Sequence, residues 1–399
     1  MLLRWVSLLL LFFAFLIFPS CSFQPQETLY FLSFSRLENQ GEIFKETEGK
    51  RERVLEKPGL VDFFIKDASF YFLTRTPFKS ELYSLKDGRE ELIKESFQTM
   101  LFLKPSFPEA PLAIREIGKE RETLNLISSR GIEKSLLLPK GALPLSISPK
   151  NQLALRIWEN SGKARVAKIY LMDLNEPSPS IVRPLLSDGP SEEFLSWSPM
   201  GGEFLFQRKS PSGGYSLYIY NVHNRREEIF RENAFSFQGA LSGGESWSAS
   251  GHLIFSQSPK REVFSPIILF KEGTEWEVDV IGASPYLSPD GEVLAFATPS
   301  NRIRPGGGTT PQADLGLFFL KEKRTITLPI DGDFLSPISA SWSNSSWNFA
   351  FVAYVWNKEE RGSGFKLYLY QRKSSSLKEI FYSPGKEVLT LAWTSGAPR

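Results

Sequence analysis

The strongest constraint on the fold of this chain is a short strand–turn–strand segment that recurs along most of its length. The best-preserved copy runs from Leu287 to Phe296 and has the sequence LSPDGEVLAF. In this copy the Ser288 hydroxyl can hydrogen-bond to the main chain, Pro289 pre-sets its own φ angle, and Gly291 accepts the positive φ with which the turn ends. The apolar residues that follow are typical of a buried strand.

Looser copies of this turn follow one another at a nearly regular interval. Aligned on the residue before the turn hydroxyl, the spacings are 50, 50, 40, 55 and 51 residues between copies at Ile147, Trp197, Trp247, Leu287, Trp342 and Trp393. A repeat of about 40 to 50 residues built on a turn of this kind indicates a β-propeller or a related repeat architecture. An array of helices would not repeat this turn chemistry.

Each repeat also carries the strands that a propeller blade needs. A third strand with a Leu-Tyr or similar signature is predicted at residues 82–85, 169–171, 217–220, 267–270, 317–320 and 367–370, and a fourth at 227–230 and 378–381. Two more degenerate repeats are predicted at residues 65–73 and 103–114. Four short antiparallel strands per repeat are the content of one blade, so the predicted fold is all-β, a single propeller of four-stranded antiparallel blades.

The two ends of the chain are predicted to pair with each other. Residues 389–393 supply a first strand with nothing after it, whereas residues 28–34 are predicted to be a second strand. Their pairing would complete one blade and remove the exposed sheet edges of an open array. Counting this shared blade with the seven other repeats favours eight blades, and seven or six result if the weak early repeats are misassigned.

The repeat turns resemble a known family. The segments Trp197-Ser198-Pro199, Leu287 to Gly291 and Trp342-Ser343 look like the PD40 (WD40-like) propeller repeats of TolB-like proteins. The resemblance covers about residues 28–396 and supports the fold more than a shared activity, because one propeller fold hosts many unrelated functions. It implies a cell-envelope propeller that binds another protein.

The composition narrows the classes of function. The formal charge is +2, from 47 basic and 45 acidic residues, which provides no field for capturing nucleic acid. The single cysteine, Cys21, excludes an internal disulfide and a cysteine-based metal site. Only two histidines, His223 and His252, are available for metal or acid–base chemistry. We expect no cofactor and no metal.

The N-terminus resembles a bacterial lipoprotein leader. Arg4 precedes an apolar run of about 14 residues that ends just before Cys21, shorter than the roughly 20 residues of a membrane-spanning helix. The resemblance implies cleavage before Cys21, lipidation of its thiol, and anchoring through two or three acyl chains. Ser22 after the cysteine favours the outer membrane. The predicted organisation is a signal peptide at residues 1–20, a lipidated tether at 21–27 and a propeller at 28–399; the alternative is an ordinary leader with an incidental cysteine.

No motif for catalysis is evident. The Gly-x-Ser-x-Gly elbow of propeller-associated hydrolases is missing from the sequence. The recurring tryptophans are predicted to pack between blades. The most irregular insertion, residues 298–314, is predicted to be a loop at the edge of one face that serves either as a linker or as a partner contact, through Arg302, Arg304, Gly306, Gly307 and Gly308.

The function that these observations favour is a non-catalytic, lipid-anchored scaffold of the cell envelope that binds an envelope protein or peptide. One alternative is an enzyme or small-ligand binder that uses side chains around the central channel. A second alternative is a surface lipoprotein that contacts host or matrix molecules. Clustered acidic, arginine and tyrosine side chains with perturbed titration in the channel would favour the first alternative.

Overall fold

The computed structural model describes most of the chain as β-structure. The described residues are 27–66, 69–86, 88–103, 107, 109–119, 121–128, 130–161, 164–182, 190–209, 213–237, 246–258, 262–300, 313–330, 340–357 and 362–395. Across these ranges, no helix is long and apolar enough to cross a membrane.

The described strands follow one another along the chain without intervening helices. In chain order they are β1 (Glu27–Ser35), β2 (Gln40–Thr47), β3 (Lys50–Pro58), β4 (Leu60–Lys66), β5 (Ser69–Arg75), β6 (Ser80–Lys86), β7 (Arg89–Ser96), β8 (Thr99–Leu103), β9 (Leu112–Ile117), β10 (Glu122–Ser128), β11 (Gly131–Leu138), β12 (Leu143–Ile147), β13 (Gln152–Ser161), β14 (Ala164–Asp173), β15 (Ile181–Val182), β16 (Glu192–Trp197), β17 (Glu203–Lys209), β18 (Tyr215–Asn221), β19 (Arg226–Arg231), β20 (Leu253–Phe255), β21 (Ser265–Lys271), β22 (Thr274–Leu287), β23 (Val293–Pro299), β24 (Ala313–Phe319), β25 (Arg324–Leu328), β26 (Ala340–Trp342), β27 (Asn348–Asn357), β28 (Gly362–Gln371), β29 (Ser376–Pro384) and β30 (Lys386–Ser395).

These strands form an antiparallel propeller. We number the sheets in ring order: sheet 1 is β30-β1-β2-β3, sheet 2 is β4 to β7, sheet 3 is β8 to β11, sheet 4 is β12 to β15, sheet 5 is β16 to β19, sheet 6 is β20 to β25 and sheet 7 is β26 to β29. In each four-stranded sheet we call the strands A to D, from the inner edge outwards. In sheet 6, β20, β21 and the first part of β22 correspond to B, C and D of one repeat, and the second part of β22, β23, β24 and β25 correspond to A, B, C and D of the next. Inner strands of neighbouring sheets contact one another, as β30 does with β4 and β26, and β12 with β8 and β16. The D strands carry exposed charged side chains.

The predicted closure of the ring by the two ends of the chain is confirmed. β1 pairs with β30 over the whole of its length, from Glu27 opposite Ser395 to Ser35 opposite Lys386. The C-terminal strand is therefore strand A of sheet 1, and the first described strand is strand B. No edge is left open where the chain ends meet, because each supplies the other's hydrogen-bond partners.

The expectation of eight blades is wrong, because the described strands form seven sheets. The repeats aligned on Trp247 and Leu287 were expected to give separate blades, but the 14-residue strand β22 runs through both. Its first part pairs with β21 as far as Gly282, and its second part pairs with β23 from Ala283 onwards. A register shift after Ala283 and a positive φ of 50° at Ser284 bend the strand without ending it. The result is one six-stranded sheet.

The ring has two faces that differ in the turns they carry. Because the sheets are antiparallel, the turns between strands A and B and between C and D lie at one end of each sheet, which we call the A–B face. The turns between B and C and the connections from one sheet to the next lie at the other end, the B–C face. Turns of neighbouring sheets meet on the same face: Asp290 N, in sheet 6, donates to Ser346 Oγ, in sheet 7, at 2.9 Å.

The hydrophobic core lies between neighbouring sheets, and the recurring tryptophans are part of it, as predicted. The indole nitrogen of Trp197 donates to the Ser146 carbonyl of the preceding sheet at 3.3 Å. The same bond recurs from Trp342 to Tyr286, at 3.0 Å, and from Trp393 to Ser341, at 3.1 Å. These indoles satisfy their polar group against the adjacent A strand while burying their rings, which locks one sheet against the next.

Candidate functional site

The repeated turns on the A–B face are structural, as the sequence predicts. In each turn the serine is buried, and its hydroxyl accepts a backbone N–H from the start of strand B. The tight turn offers this N–H group no backbone acceptor, so the hydroxyl takes that place. These bonds run from Gln152 to Ser148 (3.0 Å), Glu203 to Ser198 (3.2 Å), His252 to Ser248 (3.0 Å), Val293 to Ser288 (3.0 Å) and Asn348 to Ser343 (3.1 Å).

The best-preserved turn also holds an ion-pair network that the sequence did not reveal. Arg372, from the C–D turn of sheet 7, pairs with Asp290 at 2.6 Å and with Glu292 at 2.5 Å. Hydrogen bonds from Lys321 and Arg372 lower the pKa of Glu292. The network links sheet 6 to sheet 7. Asp290 therefore forms an ion pair between neighbouring sheets in addition to shaping its own turn.

The two histidines lie in different turns of the A–B face. His223 contacts Lys150, with 3.1 Å between Nε2 and Nζ. His252 is buried beside Ser250, with 3.1 Å between Nδ1 and the hydroxyl oxygen, and packs against the Trp276 ring. Burial, followed by the positive charge of Lys271, lowers the pKa of His252 from 6.5 to about 4. Its neighbours give it the environment of a packed turn residue.

Sheets 4 and 5 are joined by a buried charged cluster, which sequence patterns also did not reveal. Glu192 lies 3.3 Å from Lys168 Nζ and 3.5 Å from Arg208 Nη2, and it accepts the Ile169 backbone N–H at 3.0 Å. Arg208 in turn makes a bidentate ion pair with Glu227, with distances of 2.8 and 2.9 Å. Strand β15 pairs with β14 only at Leu171 and Met172, so Glu192 satisfies part of the β14 edge that a longer fourth strand would cover.

The B–C face carries the most exposed large apolar side chains among the described residues. Leu37 is 97% exposed, Phe97 is 85% exposed and Phe78 is 81% exposed. Leu37 lies in the B–C turn of sheet 1, Phe78 in that of sheet 2, and Phe97 in the connection from sheet 2 to sheet 3. These three side chains therefore lie on consecutive turns of one face, and apolar groups exposed on one face can serve an interaction.

A series of contacts connects these turns into one strip. The Gly59 backbone N–H bonds to the Asn39 carbonyl, and the Gly59 carbonyl accepts the Arg75 N–H, each at 2.7 Å. This links the Leu37 turn to the Phe78 turn. Lys79 then pairs with Glu95 at 2.7 Å, which fixes the Phe78 turn beside the segment that leads to Phe97.

The strip ends at two basic side chains. The Gln98 side chain packs so closely on Gly118 that a Cβ there would lie 2.5 Å from it. This contact brings Phe97 beside the B–C turn of sheet 3, where Phe97, Gln98, Lys119 and Arg121 line an open depression of about 480 Å³. Lys119 and Arg121 are exposed and make no ion pair with any residue that the structure describes. We call Leu37, Phe78, Phe97, Lys119 and Arg121 the B–C strip.

A second cavity, of about 430 Å³, lies where the ring closes, between sheets 7 and 1. Its apolar wall includes Leu29, Trp347 and Trp393, and its polar wall includes Glu46 and Glu48. It opens on the A–B face, at the turn between β2 and β3. We call it the ring-closing cavity.

The site residues predicted from sequence lie outside the described residues. These are the lipidation candidate Cys21, the signal peptide at 1–20 and all but the last residue of the tether at 21–27, together with Arg302, Arg304, Gly306, Gly307 and Gly308. The described ends of the insertion, Pro299 and Ala313, pair with each other at the B–C end of sheet 6. In the part of the chain that the structure describes, no group of three or more His, Cys, Asp and Glu side chains is arranged to hold a metal ion.

Comparison with known proteins bears on the fold alone. No protein-family model and no curated protein matches the chain. A solved structure of a eukaryotic initiation factor superposes with a TM-score of 0.54 at 11% identity, over 94% of this chain and 100% of that one. Apo AztD from Citrobacter koseri gives a TM-score of 0.54 at 8% identity, over 94% of this chain and 99% of that one.

TolB is also among the propellers that align with this chain. The structure of TolB from Acinetobacter baumannii is 14% identical, covers 88% of this chain and 79% of its own length, and has a TM-score of 0.37. The β-propeller fold that the TolB-like resemblance implies is confirmed by the sheets of this chain.

Proposed function

We propose that this protein is a non-catalytic scaffold of the cell envelope that binds a partner protein or peptide through the B–C strip. The observation that carries the proposal is the placement of Leu37, Phe78 and Phe97, the three most exposed large apolar side chains described, on adjoining turns of one face. Phenylalanine side chains that reach full burial in a partner pocket are effective anchors of an interface.

The charges at the end of the strip suggest the chemistry of the partner. Lys119 and Arg121 lie beside Phe97 and have no acidic partner among the described residues. A partner segment with an acidic residue next to an apolar one would match this order, and charge complementarity of this kind fixes the register of a complex more than its affinity.

The position of the first described strand supports attachment to a membrane by the A–B face. Glu27 accepts hydrogen bonds from Ser345 N, at 2.8 Å, and from Asn348 Nδ2, at 3.1 Å, so β1 begins among the A–B turns of sheet 7. A lipid on Cys21 would therefore hold the A–B face towards the outer membrane and leave the B–C strip accessible. We expect Cys21→Ser to move the protein from the membrane to the soluble fraction and to abolish incorporation of labelled palmitate.

Site-specific photo-crosslinking in the native envelope tests the interaction. A photoreactive amino acid is placed at Phe78 or Phe97 in the full chain, and the same group is placed at Met200 as a control. Met200 is 78% exposed but lies in an A–B turn of sheet 5, on the opposite face. We expect one discrete adduct from both B–C positions and none from the control.

The captured protein is then purified and titrated against the full chain. Lys119→Glu combined with Arg121→Glu should weaken binding at least tenfold if the partner is acidic at this point. The proposal would be contradicted by equal adducts from Phe78, Phe97 and Met200. It would also be contradicted if a Phe78→Ser/Phe97→Ser variant bound the captured protein as tightly as the unchanged chain does.

A further inference from the structure

The ring-closing cavity combines an apolar wall with carboxylates in a way that points to a specific ligand chemistry. It lies on the opposite face of the ring from the B–C strip and is separate from the interaction proposed above. Its volume of about 430 Å³ falls within the range of small-ligand sites. Two tryptophans, Trp347 and Trp393, contribute to its wall, and Trp347 is 39% exposed.

The apolar part of the cavity comes from three strands. Leu29 belongs to β1, Leu369 to β28 and Ile380 to β29, so the floor is formed by the packing of sheet 7 on sheet 1. This surface suits an aliphatic chain. The indole rings beside it suit a cation, because an aromatic face attracts positive charge.

The charged side chains of the cavity wall are mainly acidic. Glu27, Glu46 and Glu48 line it, against a single cation, Lys378. Glu27 already accepts the Ser345 and Asn348 hydrogen bonds and serves the ring closure. Glu46 and Glu48, at the end of β2 and in the turn after it, are the carboxylates that remain for a ligand.

Glu46 is the decisive group. Its side chain lies in the cavity wall, its residue is only 8% exposed, and it makes no ion pair within the described part of the chain. Burial raises its pKa, although the charge of Arg51 and a hydrogen bond from the Gly49 N–H act in the opposite direction. Arg51 lies directly opposite Glu46 in the pairing of β2 with β3, but its guanidinium donates to the Ile380 carbonyl at 3.2 Å and lies over the Phe381 ring instead of forming an ion pair with Glu46. A buried carboxylate without an ion-pair partner is costly unless a cation joins it.

We propose that the ring-closing cavity binds an alkylammonium group, with the ammonium at Glu46 and Glu48 and its aliphatic stem along Leu29, Trp347 and Trp393. The shared chemistry is a primary amine on a chain of four or five carbons. Such a group is carried both by free diamines and by the lysine side chains of proteins.

The test uses the full chain, purified, and isothermal titration with three probes that share a five-carbon chain: n-pentylammonium, cadaverine and n-pentanol. We expect both amines to bind and pentanol to bind at least tenfold more weakly, because it lacks the charge. A capped Gly-Lys-Gly peptide distinguishes the two sources: binding by the peptide as tight as that of the amines assigns the cavity to a lysine side chain, and weaker binding by the peptide assigns it to a free amine.

Substitutions locate the binding. Glu46→Gln should weaken the affinity for n-pentylammonium at least tenfold, as expected for loss of a charge-assisted hydrogen bond. Glu48→Gln, in an exposed turn, tests the same site without altering a buried position. Glu133→Gln is the matched control, because Glu133 is an exposed acid on β11, away from the cavity. Failure of all the amine probes to bind, or equal affinities in the Glu46→Gln, Glu48→Gln and Glu133→Gln variants, would overturn the proposal.

Discussion

Replacing the buried Glu192 by glutamine should destabilise the propeller more than any surface charge change. The side chain of Glu192 is fully buried, that of Lys168 is 2% exposed and that of Arg208 is 8% exposed. Glu192→Gln keeps the shape of the side chain but removes its charge. The Lys168 ammonium then loses its ion pair with Glu192 in the interior, while Arg208 keeps its two bonds to Glu227.

The expected magnitude follows from the environment of the pair. Removing one partner of a buried ion pair costs about 3–5 kcal/mol, because the remaining charge has lost its water and has no compensating anion. Replacing both partners by apolar groups of similar volume is often nearly neutral. We therefore expect the double variant Lys168→Met/Glu192→Gln, which removes the Lys168 charge and keeps an acceptor for the Ile169 N–H, to recover most of the stability that Glu192→Gln alone loses.

Urea unfolding monitored by tryptophan fluorescence measures these changes in the free energy of unfolding. Glu227→Gln is the internal control, because the Glu227 side chain is 35% exposed and screened by solvent, so we expect a cost of about 1 kcal/mol or less. If Glu192→Gln costs no more than Glu227→Gln, or if the double variant is less stable than Glu192→Gln, the argument from an uncompensated buried charge is refuted.

Three further predictions concern turns of the A–B face. The folded-state pKa of His252, about 4, lies below its ordinary value of 6.5. The contribution of the neutral imidazole to the free energy of unfolding is therefore present above pH 6.5 and is lost as the pH falls towards 4. His252→Gln should reduce this loss of stability by up to about 3 kcal/mol in unfolding experiments between pH 6.5 and pH 4. Ser288→Ala should cost about 1–3 kcal/mol in urea, because the buried Val293 N–H loses its acceptor. Gly291→Ala should cost more than Gly49→Ala in thermal unfolding, because both glycines have positive φ but only a Cβ on Gly291 would meet other atoms, 2.9 Å from Ser250 Oγ; equal losses would show that crowding plays no part.

The turn residues and tryptophans were predictable because their roles follow from local rules. A buried serine at the start of a tight turn has an obligatory use for its hydroxyl, as Ser288 and Ser343 show. A tryptophan at the end of strand A must bury a large ring and also find an acceptor for its indole N–H. Trp197 and Trp342 do both against the preceding sheet. These requirements repeat in each blade and leave a repeating signal in the sequence.

The number of sheets was not predictable from the same signal. The copies of the turn at Trp247 and Leu287 are separated by 40 residues, the shortest of the spacings. In the structure this shorter segment contains no loop between the last strand of one repeat and the first strand of the next, and β22 continues through Ser284 from one ladder to the other. A turn motif records where strands A and B meet, but it contains no information on whether the outer strand before it has ended.

The charged clusters escaped prediction for a related reason. Glu192 reaches Lys168 across the boundary between sheets 4 and 5 and Arg208 on the neighbouring strand of sheet 5, and Arg372 reaches Asp290 across the boundary between sheets 6 and 7. The partners lie 16 to 82 residues apart in the chain. Each contact occurs once in the ring, so no repetition distinguishes these charged residues from the other charges of the sequence.

The contrast between the two faces of the ring explains where a binding surface is to be sought. On the A–B face, the repeated turns need a hydroxyl that accepts the first backbone N–H of strand B. Side chains such as Ser148 and Ser198 are buried in that role. On the B–C face, the turns that carry Leu37 and Phe78 share no sequence pattern and leave large apolar groups in solvent. Exposure of such groups adds nothing to the stability of the isolated ring, because apolar surface left in water yields no burial energy. A partner that covers Leu37, Phe78 and Phe97 would supply the burial that the ring itself does not, which is why the face without a repeat is the one proposed to bind.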